Sequence, residues 1–130
     1  AAMLGGTIHV KGDSGPRAGV AMKGGNIIVE GKLGYQSGFM ANAGKIIALN
    51  GAGDSTADAL WQGEVWVAGD IDSLGVDTVV NEPTAEEVAE VDAILEPLGL
   101  VDSSRNWRKI IAGQRLWYFE SRDAKAWLMI

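Results

Sequence analysis

Gly6, Gly25, Gly44 and Gly63 recur at a fixed interval of 19 residues. Aligned on that interval, the first half of the chain reads as four copies of one unit. Gly5-Gly6-Thr7-Ile8-His9-Val10-Lys11-Gly12 is matched by Gly24-Gly25-Asn26-Ile27-Ile28-Val29-Glu30-Gly31. A weaker copy, Ala43-Gly44-Lys45-Ile46-Ile47-Ala48-Leu49-Asn50, follows, and Gln62-Gly63-Glu64-Val65-Trp66-Val67-Ala68-Gly69 restores the pattern. Alternate residues of a strand face one side. Ile8, Ile27, Ile46 and Val65 therefore form one interior column, with Val10, Val29, Ala48 and Val67 beside it. His9, Ile28, Ile47 and Trp66 form the opposite column, apolar in three copies of four, so that face also needs a cover.

Further glycines recur at Gly12, Gly31 and Gly69, at Gly15, Gly34 and Gly53, and at Gly19 and Gly38. Glycine suits corners because it accepts positive φ and close backbone approach. Each copy thus reads as strand, corner, short segment, corner. One copy cannot bury its own apolar face, so neighbours must stack. The expected fold is an all-β solenoid, a single-stranded parallel β-helix with successive coils paired in parallel. The left-handed hexapeptide helix is the competing solenoid, but this chain has no six-residue subperiod. Residues 1–80 are expected to be the coils. Residues 81–130 are expected to be a capping helix and docking tail of the same domain. Ala1 leads straight into a full coil, and an open coil end exposes strand edges, so further coils or a partner are expected there.

Pro83-Thr84-Ala85-Glu86-Glu87 reads as a helix start, with Thr84 and Glu87 forming a capping box. Val88, Val91, Leu95 and Leu98 share one helical face, and Pro97 and Gly99 stop the helix. This helix is expected to lie across the coil stack as a C-terminal cap. The last third is basic and aromatic. Trp107, Arg108, Trp117, Tyr118, Phe119 and Trp127 are the interface candidates, because Trp, Tyr and Arg commonly anchor interfaces.

Composition narrows the functions. A net charge of −6 disfavours a nucleic-acid surface. The chain has no cysteine, which excludes disulfides, cysteine-ligated clusters and a thiol nucleophile. No run is long and apolar enough for a membrane span, and a cytoplasmic location is the default expectation. Gly12-Asp13-Ser14-Gly15-Pro16 has the look of a serine-protease nucleophile loop, and Gly53-Asp54-Ser55 that of a lipase serine block. Both fall at repeat corners. The one histidine, His9, sits on a strand five residues from Ser14, so neither serine has a dedicated base. The glycines lack the order of a dinucleotide loop, and no Walker lysine is present. Asp13, Asp54, Asp70 and Asp72 do not repeat in register as a calcium ladder would. No catalytic, cofactor-binding or metal-ligating residue is expected on this chain.

The spacing Gly12/Gly15/Gly19 and Gly31/Gly34/Gly38 after each Gly-Gly-x-Ile-x-Val resembles the GXGXG domain of glutamate synthases. Gly51-Ala52-Gly53-Asp54-Ser55, the run Val65 to Gly75, and Trp107-Arg108-Lys109-Ile110-Ile111-Ala112-Gly113 extend the resemblance over nearly the whole chain. The ending is most similar to the stand-alone form of the domain, as in the separate GXGXG chain of N-methylglutamate synthase. Asn50 and Ala57 depart from the pattern at glycine positions. The resemblance implies a right-handed β-helix without catalytic residues, bracing a flavin/iron–sulfur synthase chain and a glutaminase-like chain. FMN and iron–sulfur centres would sit on those partners. The β-helix chains of formylmethanofuran dehydrogenase and of the formyltransferase/hydrolase complex share the coil type and stand as an alternative. Others are a one-carbon carrier or enzyme component using Arg17, Asp54 and Arg108, and an independent binding solenoid.

Overall fold

The computed structural model describes residues 5–16, 19, 22–35, 37–38, 43–57, 62–75 and 78–113. Four strands arise from the four repeats: β1 (Thr7–Val10), β2 (Lys23–Val29), β3 (Ala43–Ala48) and β4 (Glu64–Ala68). They pair in parallel, and Ile8, Ile27, Ile46 and Val65 stand opposite one another, as the 19-residue interval requires. A short second ladder of parallel bridges joins Leu33, Ala52 and Ile71 on the return segments.

Beyond β4 the pattern changes. Two further strands, β5 (Thr78–Asn81) and β6 (Trp107–Ala112), flank an α-helix, α1 (Ala85–Leu95). β6 runs antiparallel to β4, and β5 antiparallel to β6. The sheet order is β1-β2-β3-β4-β6-β5, an open, mixed sheet of six strands. This corrects the expected fold class. The described residues form a small α/β fold, and an all-β, right-handed, single-stranded parallel β-helix is not what they build. The physical reason lies at the β4 edge. Its unpaired backbone groups need partners, and β6 supplies them by antiparallel pairing, setting Ile110 opposite Val65.

The helix lies across successive repeats on one face of the sheet. Val91 and Leu95 of α1 join Ile28, Ile47, Leu49, Trp66, Ala68 and Trp107 in one buried cluster. The helix therefore covers the face that carries the Ile28, Ile47 and Trp66 column. An apolar sheet face must be buried against another layer, and an amphipathic helix suits it. The opposite face has its own core, in which Ile27, Val29, Ile46, Ala48, Val65, Val67 and Ile110 pack with Met22, Leu33, Ala52 and Ala57. The start of α1 follows the sequence: Thr84 Oγ1 accepts from the Glu87 backbone N–H, and the Glu87 carboxylate accepts from the Thr84 N–H.

The corner glycines are set by how closely neighbouring turns approach. A Cβ on Gly34 would lie 2.4 Å from the Gly15 carbonyl oxygen, and one on Gly44, at φ +94°, would lie 2.7 Å from that of Gly25. No side chain fits there, because backbone cannot give way as a rotamer can. At Gly15, by contrast, nothing lies within 4 Å of an added Cβ. Gly34→Ala is therefore expected to destabilise the protein by about 3 kcal/mol, at the upper end of overpacking costs. Gly15→Ala should stay within about 0.5 kcal/mol of the parent. Urea unfolding of both variants checks this, and equal losses would show that close approach is not the reason for glycine at these corners.

Candidate functional site

The structure gives the predicted glycines definite places. Gly6 and Gly25, both at φ +82°, open β1 and β2 in the manner of Gly44, while Gly63 is buried just before β4. Gly12 and Gly31 form one corner, with Gly31 pressed on the Asp13 and Gly12 backbone, and Gly69 takes the same place on Asn50 and Gly51. Gly15, Gly34 and Gly53 form the next corner, each later member against the backbone of the one before. Gly19 and Gly38 turn inward against the side chains of Ile46 and Val65. Ala57 follows them at the same interval and holds φ +64° with its methyl buried.

Side chains that resemble catalytic groups tie these corners together. Asp13 Oδ1 accepts from the Lys32 backbone N–H at 2.7 Å, and Ser14 Oγ accepts from the Gly34 N–H at 3.0 Å. His9 Nε2 lies 2.6 Å from Glu30 Oε2, and so engages the neighbouring strand and not Ser14. Asp54 Oδ1 accepts from Ser73 Oγ at 3.2 Å, while the Ser55 N–H donates to the same Ser73 hydroxyl at 2.9 Å. Lys32 Nζ reaches Asp72 Oδ2 at 2.7 Å. That hydrogen bond raises the Lys32 pKa above its ordinary value, against a smaller opposing effect of burial, and the negative charges of Asp72, Asp54 and Asp13 add to it. The fully buried Ser37 and Thr56 hydroxyls donate to the carbonyls of Gly34 and Gly53. This pair repeats at the 19-residue interval, as Gly-x-x-Ser/Thr, a signal that the glycine series alone had hidden. Among the described residues, no group of three or more His, Asp or Glu is arranged to hold a metal ion.

The most connected polar cluster lies where α1 meets the sheet. Lys109 of β6 bonds Glu87 at the start of α1 and stands 3.6 Å from Glu64 of β4. Glu64 in turn accepts from the Trp66 indole N–H at 3.0 Å. Trp66 packs edge-on to Trp107, with ring centroids 6.0 Å apart. Trp107, an interface candidate from the sequence, is thus part of the buried core beneath the helix, while Arg108 is exposed on β6. Trp117, Tyr118, Phe119, Trp127 and Arg17 lie outside the described residues.

No family model, curated protein or solved structure matches this chain. The geometry therefore carries the chemical reading. Asp13, Ser14, Asp54 and Ser73 hold one turn to the next. No helix among the described residues is long and apolar enough to cross a membrane.

The Lys109 cluster has a pH signature. The Lys109 hydrogen bond lowers the Glu87 pKa below the ordinary 4.5, helped by the Thr84 backbone N–H. Burial by itself would lower the Lys109 pKa, but the Glu87 bond and the charges of Glu64 and Glu87 together raise it above 10.5. A depressed carboxylate stabilises the fold above its unfolded pKa, and this is lost as pH falls through the folded value. The raised ammonium stabilises below its unfolded pKa, and this is lost as pH rises through the folded value. The tie is therefore complete between about pH 4.5 and 10.5. Glu87→Gln keeps a capping side chain but removes the charge. It is expected to lower Tm at pH 7 and to weaken the fall in Tm below pH 4.5, both read by circular dichroism.

Proposed function

We propose that this chain is a non-catalytic structural subunit of a cytoplasmic glutamate-synthase-like complex, of the N-methylglutamate synthase type. In this role it braces a flavin- and iron–sulfur-bearing synthase chain and a glutaminase-like chain against each other. FMN and the iron–sulfur centres reside on those partners. One observation carries the reading: of the glycine corners on which the resemblance rests, those of the second copy, Gly31 and Gly34, are occupied by neighbouring backbone. Gly31 and Gly34 meet Gly12 and Gly15 at distances that exclude a Cβ. Glycines serving a phosphate would keep that space for a ligand, so an architectural use of the motif is favoured. The engagement of Asp13, Ser14 and Asp54 with neighbouring turns supports the same reading.

The reading is tested by pull-down of the tagged chain from its native source, with mass spectrometry and a visible spectrum of the eluate. Co-purification of a flavin/iron–sulfur chain with a glutaminase-like chain is expected. A colourless eluate holding this chain alone would sink the proposal, as would substantial turnover by the isolated chain.

A further inference from the structure

Asn50 is the one asparagine followed by glycine; Asn26, Asn42, Asn81 and Asn106 precede isoleucine, alanine, glutamate and tryptophan. Glycine has no Cβ to shield its amide nitrogen or restrict its backbone. Asn-Gly is therefore the pair in which that nitrogen most readily attacks the preceding side-chain amide. The fold demands glycine at this point. Gly51 holds φ +97°, and a Cβ on it would lie 2.7 Å from the Asp70 carbonyl oxygen. In the closed corner, however, both reacting groups are occupied. The Gly51 N–H donates to the Ala68 carbonyl at 2.8 Å, and the Asn50 N–H to that of Gly31 at 3.2 Å. The Asn50 side-chain amide donates to the Glu30 carbonyl at 3.0 Å. Gly69 closes over the pair, so that a Cβ on it would lie 3.0 Å from the Gly51 nitrogen and 3.3 Å from the Asn50 carbonyl carbon.

We propose that Asn50–Gly51 is a self-modification site, blocked while the corner beside β4 is closed and released when it opens. Once the Gly51 N–H leaves the Ala68 carbonyl, its nitrogen gives up the proton to hydroxide and bonds the Asn50 Cγ. The Cγ–Nδ2 bond breaks, ammonia leaves with a proton from water, and a five-membered succinimide remains. Water then opens the ring at one carbonyl or the other, giving an aspartyl or an isoaspartyl residue at position 50. One water is taken up and one ammonia released, with no change of oxidation state. Neither product suits the corner. An aspartyl carboxylate sets an acceptor against the Glu30 carbonyl, where the amide was a donor. The isoaspartyl form adds one carbon to the backbone between β3 and β4, where Gly51 and Gly69 already touch neighbouring backbone. The change runs one way, so it records chains that have opened and hinders their closing again. It rests on this corner alone and is independent of the partners proposed above.

The test follows the unaltered chain at mildly alkaline pH by peptide mapping with mass spectrometry and by enzymatic methylation of isoaspartate. In urea beyond the unfolding midpoint, Asn50 is expected to convert about 100-fold faster than in the folded protein, because a bonded amide reacts only through its open population. A synthetic peptide of residues 46–54 in the same two buffers measures what urea itself does, and the ratio is corrected by it. Gly69→Ala sets a Cβ against the Gly51 nitrogen and should raise conversion without urea by about tenfold, through more frequent local opening. Gly15→Ala, whose Cβ meets nothing within 4 Å, should match the parent. Circular dichroism checks that both variants fold; if Gly69→Ala does not, the folded and unfolded parent decide. The converted chain, returned to native buffer, should melt at a lower Tm than one taken through urea at mildly acidic pH, where the nitrogen keeps its proton. Equal corrected rates in the folded and unfolded parent overturn the proposal, as does faster conversion at another asparagine. So does a folded Gly69→Ala that converts no faster than the parent, or a converted chain with an unchanged Tm.

Discussion

Strands paired in a sheet lie about 4.8 Å apart, and the chain segments that leave them must keep that spacing. At the turns of this protein the spacing is imposed on bare backbone. Gly34 rests on the Gly15 carbonyl, Gly44 on that of Gly25, and Gly69 on the Gly51 amide. A single Cβ at such a point would wedge two turns apart and shift the strands on either side. With the corners closed, Thr7, Asn26, Lys45 and Glu64 fall into one row and Ile8, Ile27, Ile46 and Val65 into the next. The core depends on that alignment, since a slip of one residue would turn every isoleucine of the row to the other face.

Both faces of the parallel strands are apolar, and they are covered by different means. The return segments, bridged at Leu33, Ala52 and Ile71, close one core. The other core needs α1, which brings Val91 and Leu95 onto Ile28, Ile47 and Trp66. Trp66 links the two levels of organisation. Its column position comes from the repeat, its ring packs on Trp107 of β6, and its N–H reaches Glu64, which also neighbours Lys109. Because Lys109 holds Glu87 as well, the residue that completes the helix cap also fixes the helix to the sheet. Local capping and long-range packing share one carboxylate.

The repeat was legible because it is local and periodic. The interval of 19 residues led directly to the observed register of β1 through β4, and the Thr84–Glu87 box to the observed helix start. The need to cover the His9, Ile28, Ile47 and Trp66 face was also readable. What was not readable is which element covers it, because contacts between α1 and Trp66 span many residues and leave no periodic trace. The same holds for β6. Trp107-Arg108-Lys109-Ile110 alternates faces as a strand does, yet its charges and aromatics read as a tail. Antiparallel pairing with β4 gives it Val65 as a partner, and with that pairing the sheet becomes mixed. Aspartates and serines at corners were legible in the sequence by position only. The structure supplies their positive role, since Asp13 and Ser14 accept hydrogen bonds from the next turn.

A catalytic group must keep some bonding capacity for its substrate. In this chain His9, Asp13, Ser14 and Asp54 are bonded to neighbouring strands or turns, and among the described residues no buried side-chain polar atom lacks a partner. Open capacity lies instead at the ends of the sheet. The apolar row that is sealed at Ile27, Ile46, Val65 and Ile110 is 48% exposed at Ile8 and 40% exposed at Val80. Hydrophobic area and backbone hydrogen-bonding groups coincide at these ends, and strand addition uses both together. β5 runs directly into Glu82 and Pro83 and β1 into Lys11, residues of the kind that discourage edge pairing.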